Sequence, residues 1–183
     1  MPANEIVTTQ ILEHSFLDGK KVFVPCIYKR SKPEPGIPTS IMDMLELKSL
    51  DDFRALKPDN WGIPTIPKDS IPHRKNCFGV SGLSEEHPDE KADDAGLDLL
   101  VMPGMGFDLS FGRLGHGKGY YDYFLQRYAE HSQKGLVSKG MPFLAALSLN
   151  EQILGQDEQV PMGPTDWRVD ALIQGDGTVL RAD

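Results

Sequence analysis

LDLLVMPGMGFDLSFGRLGHGKGYYDYFLQRY, Leu97 to Tyr128, orders the rest of the chain. Leu97 to Met102 is a short apolar run of strand length, and from Tyr120 apolar residues return at helical spacing. Tyr121, Phe124, Leu125 and Tyr128 share one face of that helix. The order is therefore strand, glycine loop, helix. Between Gly112 and Gly119 glycine recurs four times, interrupted by Arg113, His116 and Lys118. Glycine lets backbone N–H groups turn toward an anion with no Cβ in the way. A helix start behind the loop adds free donors and a positive dipole end. With two fixed cations, Arg113 and Lys118, the surface suits a polyphosphate.

The run Gly112 to Gly119 nearly matches a P-loop, but the hydroxyl residue that would sit on magnesium is Gly119. Pro103 to Phe111 also separate the loop from its strand, where a P-loop follows at once. A P-loop NTPase is thus the weaker reading, and a plain glycine turn is the bland one. Asp122 falls in the first helical turn. There a carboxylate either compensates the dipole or serves as a magnesium ligand, an ion that takes oxygen ligands and keeps waters.

Outward from this stretch, 183 residues suit one compact domain, and 39% hydrophobic with 25% charged residues is ordinary for a globular chain. The net charge of −8 argues against nucleic acid as a partner. Cys26 and Cys77 form neither a disulfide framework nor a zinc pattern. No apolar run reaches membrane-span length and no signal peptide is evident, so a cytoplasmic protein is expected, with the mitochondrion left open.

Asn4 caps a first helix carrying Val7, Ile11, Leu12 and Phe16, which Asp18-Gly19 ends. Strands are predicted at Val22 to Tyr28, Ile41 to Leu47, Phe143 to Leu147 and Asp170 to Ile173, with short helices at Leu50 to Leu56 and from Asn150. Pro25 speaks against a central ladder for the first strand. Residues 76–95, dense in Asp and Glu, read as a solvated acidic loop insertion. Alternating strands and helices predict a three-layer α/β/α domain with a mostly parallel, Rossmann-like sheet. Ligands of such sheets gather at the carboxyl ends of strands, where the loop from Pro103 would lie.

PGMGFDLSFGRLGHGKGYYDYFL resembles the signature of the 5-formyltetrahydrofolate cyclo-ligases, also called methenyltetrahydrofolate synthetases. In that family a proline-glycine-x-x-phenylalanine-aspartate turn precedes an arginine-leucine-glycine-x-glycine-x-glycine-tyrosine-tyrosine-aspartate loop. Asn4 to Ile6, KKVFVPCIY at Lys20 to Tyr28, Met42-Asp43-Met44, Asn60 to Pro64 and VPMGPTDWRVD at Val160 to Asp170 follow in the family's order. The resemblance spans nearly all of 1–183 and implies one cyclo-ligase domain, the family's initial basic helix and strand preceding Met1. It also implies a monomer that uses ATP and Mg2+ to convert 5-formyltetrahydrofolate, with or without a polyglutamate tail, to 5,10-methenyltetrahydrofolate. A non-catalytic folate- or nucleotide-binding relative is the alternative.

Carried over residue by residue, the resemblance implies an ATP loop of Arg113, Leu114, Gly115, His116, Gly117, Lys118, Gly119, Tyr120 and Tyr121. Arg113, Lys118 and Tyr121 would serve catalysis, and Asp122 with Asp166 would hold the metal. Glu5, Met42, Trp61 and Tyr120 would contact the folate. From the residues alone Glu5 is a first-turn acid, Met42 and Trp61 are packing, and Tyr121 divides evenly between the site and the helix underside. His116 would be only partly charged, and Thr165-Asp166 before Trp167 is equally a turn or cap.

Overall fold

A computed structural model describes residues 6–32, 34–59, 62–87 and 90–182. The chain's contacts gather into two compact units: residues up to Gly96 with Lys134–Ser138, and Leu97–Gln133 with Lys139–Asp183.

In the first unit, α1 (Thr9–Leu17) precedes β1 (Val22–Lys29) and β2 (Ser40–Leu47), which pair antiparallel. Pro25, opposite Met44, is accommodated because β1 pairs with β2 alone among the described residues, so one side of β1 needs no ladder donor there. β2 is buried almost throughout and supplies Met42, Met44, Leu45 and Leu47 to the core. α2 (Leu50–Arg54) is capped by Ser49, whose hydroxyl accepts from the Asp52 N–H, while Asp52 accepts from the Lys48 N–H. The same carboxylate takes both Arg74 Nη atoms at 2.6 and 2.7 Å, and this bidentate pair holds it below the usual carboxylate range. β3 (Lys57–Pro58) and β4 (Pro64–Thr65) make a minimal hairpin within the proline-rich stretch.

The acidic stretch departs from its reading as a solvated loop. Cys77, Phe78, Val80 and Ala95 are buried, and the Asn76 side chain accepts from the Phe78 N–H and donates to the Gly82 carbonyl. Lys75 and Cys77 exchange backbone hydrogen bonds with Glu46 and Met44. Ser84 gives its N–H and hydroxyl to the buried Asp43 carboxylate at 2.7 and 2.9 Å. The charge count misled because the Asp and Glu residues, from Glu85 on, follow an apolar segment, Cys77 to Val80, that completes the β2 neighbourhood.

In the second unit, β5 (Leu99–Met102), β6 (Gly106–Phe107) and β7 (Arg113–Leu114) lead to α3 (Tyr120–Gln133), followed by β8 (Phe143–Ser148), β9 (Ala171–Gln174) and β10 (Val179–Arg181). The four-stranded sheet has the order β10-β9-β8-β5; β5–β8 and β8–β9 are parallel, and only β10 runs against its neighbour. The mixed α/β class with a mostly parallel sheet is as read from the sequence. Phe124, Leu125 and Tyr128 on α3 are fully buried. The Tyr128 hydroxyl accepts the Leu97 N–H at 2.7 Å, tying the helix to the start of β5. The element expected from Asn150 is a single 3-10 turn, Asn150–Gln152. β10 adds a strand through an Asp176-Gly177 hairpin, where Gly177 takes φ +88°.

Candidate functional site

β6 and β7 form a hairpin just past the carboxyl end of β5, with Gly106 opposite Leu114 and Phe107 opposite Arg113. Gln152, just past β8, donates to the Gly104 carbonyl at 3.0 Å, and the Leu154 N–H donates to the Phe107 carbonyl at 2.8 Å. The hairpin therefore stands where parallel α/β sheets collect ligands.

Its turn, residues 108–112, closes around Asp108. Oδ1 accepts from the Ser110 and Gly112 N–H groups at 2.8 Å each, and Oδ2 accepts from the Val160 N–H at 2.8 Å. Burial alone would raise the Asp108 pKa; the donors from Val160, Gly112 and Ser110 outweigh it and hold the carboxyl low. Gly112 is required by space, since a Cβ there would lie 2.6 Å from Asp108 Oδ2. Phe111 occupies the left-handed region at φ +64°, a strained conformation for a bulky side chain.

Arg113 leaves the turn with a guanidinium only 5% exposed, its Nη2 2.7 Å from Asp122 Oδ2 and its Nη1 3.3 Å from the Pro103 carbonyl. Its Nε is buried with no hydrogen-bond partner among the described residues. The same guanidinium lies 5.9 Å from the centroid of the Tyr121 ring. Burial pushes the Tyr121 phenol up to about 12, only partly offset by Arg113, so it stays protonated at neutral pH. Asp122 takes the Trp167 N–H on its other oxygen at 3.1 Å. It thus joins the hairpin cation to the segment 160–169. Two further ties run between them: Arg168 Nη1 donates to the Ser110 carbonyl at 2.6 Å, and the Val169 N–H to the Phe111 carbonyl at 3.0 Å.

Beyond Arg113 the loop opens. Leu114, His116, Gly117, Lys118 and Gly119 are exposed, and Gly115 and Tyr120 partly so. Gly117 and Gly119 have φ +73° and +65° with empty space around them. The Gly119 carbonyl, just before α3, accepts the Tyr123 N–H at 2.9 Å, and the first turn of that helix leaves backbone donors without a partner inside the helix. Lys118 forms no ion pair among the described residues.

Arg113, Tyr121, Asp122 and the Trp167 backbone are therefore brought together. Asp166, next to Trp167, is exposed, and its Oδ2 accepts the Gly163 N–H at 2.7 Å, which is the turn role open to it from sequence. Met42 lies in the first unit at 1% exposure, within β2. Glu5 and Trp61 lie outside the described residues. A pocket of about 260 Å³ in the first unit, walled by Lys21, Phe23, Glu46, Lys75 and Asp94 among others, includes none of the expected site residues. Among the described residues, no three His, Cys, Asp or Glu side chains gather as a metal cluster, and no helix is long and apolar enough to cross a membrane.

Asp108, Val160, Trp167 and Arg168 carry much of this geometry without having been singled out. For Asp108 a signal existed: an Asp two residues before Ser110 and four before Gly112 is an Asx-turn pattern. Except for the Arg168 guanidinium, the partners from 160–169 are backbone groups, which leave no mark in sequence.

The family model described as the 5-formyltetrahydrofolate cyclo-ligase family matches residues 1–175. The chain is 31% identical over 173 residues to the 5-formyltetrahydrofolate cyclo-ligase of Mus musculus, covering 94% of this chain and 69% of that protein. Against the 5-formyltetrahydrofolate cyclo-ligase of Saccharomyces cerevisiae it is 31% identical over 186 residues, covering 98% and 74%.

Proposed function

The chain belongs to the 5-formyltetrahydrofolate cyclo-ligase family, and on that premise we propose that it converts 5-formyltetrahydrofolate and ATP to 5,10-methenyltetrahydrofolate, ADP and phosphate with magnesium. A formamide oxygen leaves poorly. Transfer of the γ-phosphoryl group to that oxygen makes it a phosphate, which departs after the neighbouring amine attacks the formyl carbon and gives up its proton. The protein's part in such a transfer is positioning and charge neutralisation more than covalent chemistry.

The observation that carries this reading is the buried Arg113 guanidinium, held by Asp122 beside an open run of left-handed glycines. Arg113 and Lys118 neutralise phosphate oxygens, and the N–H groups of Gly115, Gly117 and Gly119 cradle them. Leu114, His116, Tyr120 and Tyr121 complete the nucleotide loop. Tyr121, protonated and beside Arg113, can donate but not act as a base at neutral pH.

Magnesium fits this donor set. The ion is usually held by one or two carboxylates plus substrate phosphates rather than by a protein cage, so Asp122 with Asp166 suffices without a third acid. Each Asp122 oxygen takes one hydrogen bond and keeps a lone pair. When bound, the ion neutralises charge on the transferring oxygens. Glu5, Met42, Trp61 and Tyr120 are proposed for the folate.

The test is the methenyl absorbance that develops when the chain meets 5-formyltetrahydrofolate with Mg-ATP, and its absence without either. Folate binding with no absorbance change under any nucleotide would replace this reading by a non-catalytic binder.

A further inference from the structure

We propose that Asp108 is a positioning residue whose two oxygens do separate jobs: Oδ1 shapes the 108–112 turn, and Oδ2 fastens the 160–169 segment to it, so that Arg113 and Asp166 move together. The proposal rests on the ATP-dependent reading for its effect on turnover, while the fastening stands on geometry alone.

Ser110 and Gly112 donate to Oδ1, both from the turn itself, whereas the Oδ2 donor is Val160, fifty-two positions along the chain. Asp108 is 2% and Val160 5% exposed, so water does not replace that bond when it is lost. Of the ties between turn and segment, the Arg168 bond is on an exposed side chain, where water substitutes readily. The Asp108 acceptor of the Val160 bond is charged, which strengthens that bond relative to a neutral one. Downstream of the turn lies Arg113; downstream of Val160 lie Asp166 and the Trp167 N–H that holds Asp122. A shift of the segment therefore reaches the cation and both candidate metal carboxylates at once. Gly112 leaves Asp108 room for this arrangement and no other residue would.

The two jobs separate by substitution. Asn keeps one carbonyl oxygen for Ser110 and Gly112, an Asx turn it makes as well as Asp does. It then turns an amide donor toward the Val160 N–H, where no bond can form. In Asp108→Asn, backbone amide exchange at Val160 and Trp167 should rise about tenfold, while Ser110 and Gly112 stay within about twofold of wild type. KM for Mg-ATP should rise about tenfold with KM for 5-formyltetrahydrofolate within about twofold. Asp108→Ala should lose protection on both sides. Arg168→Ala, removing the exposed tie, should leave Val160 exchange within about twofold. Unchanged exchange at Val160 in Asp108→Asn, a rise spread equally over β1 and β2, or a tenfold effect from Arg168→Ala would overturn the proposal. So would faster exchange with wild-type KM for Mg-ATP, since the fastening would then position nothing. A wild-type chain without Mg-ATP turnover would sink the functional reading instead, and the exchange result would still decide the fastening.

Discussion

Gly112 and Gly117 belong to one loop and are glycine for different physical reasons. At Gly112 a Cβ would run into the buried Asp108 carboxylate at 2.6 Å, which is itself held by three backbone donors. At Gly117 there is nothing within 4 Å, and what requires glycine is a left-handed backbone at φ +73°. The cations divide in the same way: Arg113 is 5% exposed and paired with Asp122, while Lys118 is exposed without an ion pair among the described residues. The front half, 107–113, is thus a hydrogen-bonded mount, and the back half, 114–119, is an open surface. A glycine count sees only their sum.

The largest effect should come from Arg113→Ala, which strands the partly buried Asp122 carboxylate. It should lower stability by about 3 kcal/mol, the lower end for a broken buried pair because Asp122 keeps some water. Mg-ATP use should fall in the same variant, seen in urea midpoints and in KM. Next, Gly112→Ala should lose about 2 kcal/mol from overpacking against the buried Asp108 carboxylate. Lys118→Ala should leave the urea midpoint unchanged and raise KM for Mg-ATP about tenfold, near 1.4 kcal/mol; a loss of stability there would erase the distinction between mount and surface. Gly117→Ala should lose only about 1 kcal/mol of backbone strain, and parity with Gly112→Ala would do the same. The smallest effect is on pH. Asp108 has a folded pKa below its unfolded one, so its contribution is full above about pH 4 and fades as pH falls through the lower folded value. Urea midpoints between pH 6 and 3 should decline less steeply in Asp108→Asn than in wild type; Asp52, shifted the same way by Arg74, keeps some slope in both.

The strands at Val22, Ile41, Phe143 and Asp170 and the buried face of α3 were legible because each carries apolar periodicity over several residues. β6 and β7, two residues each, carry none. The Asp176-Gly177 turn before β10 was readable as a hairpin and went unused. In the site, Arg113 and Asp122 were legible as charges near glycines. The Trp167 N–H that joins Asp122 to the segment 160–169 was not, because it is a backbone group forty-five positions away. Residues 76–95 show the opposite error: acid count outweighed Cys77, Phe78 and Val80, which β2 needed.

Tyr128 reaches from the third turn of α3 to the Leu97 amide, two residues before β5. A phenylalanine would fill the same volume and leave that amide stranded in a dry interior, where an unmet donor is dear. The hydroxyl acts as a length gauge between helix and strand: slide either by one residue and the oxygen misses its hydrogen. The distance from sheet to glycine loop is in this sense measured from below, by a buried aromatic tip.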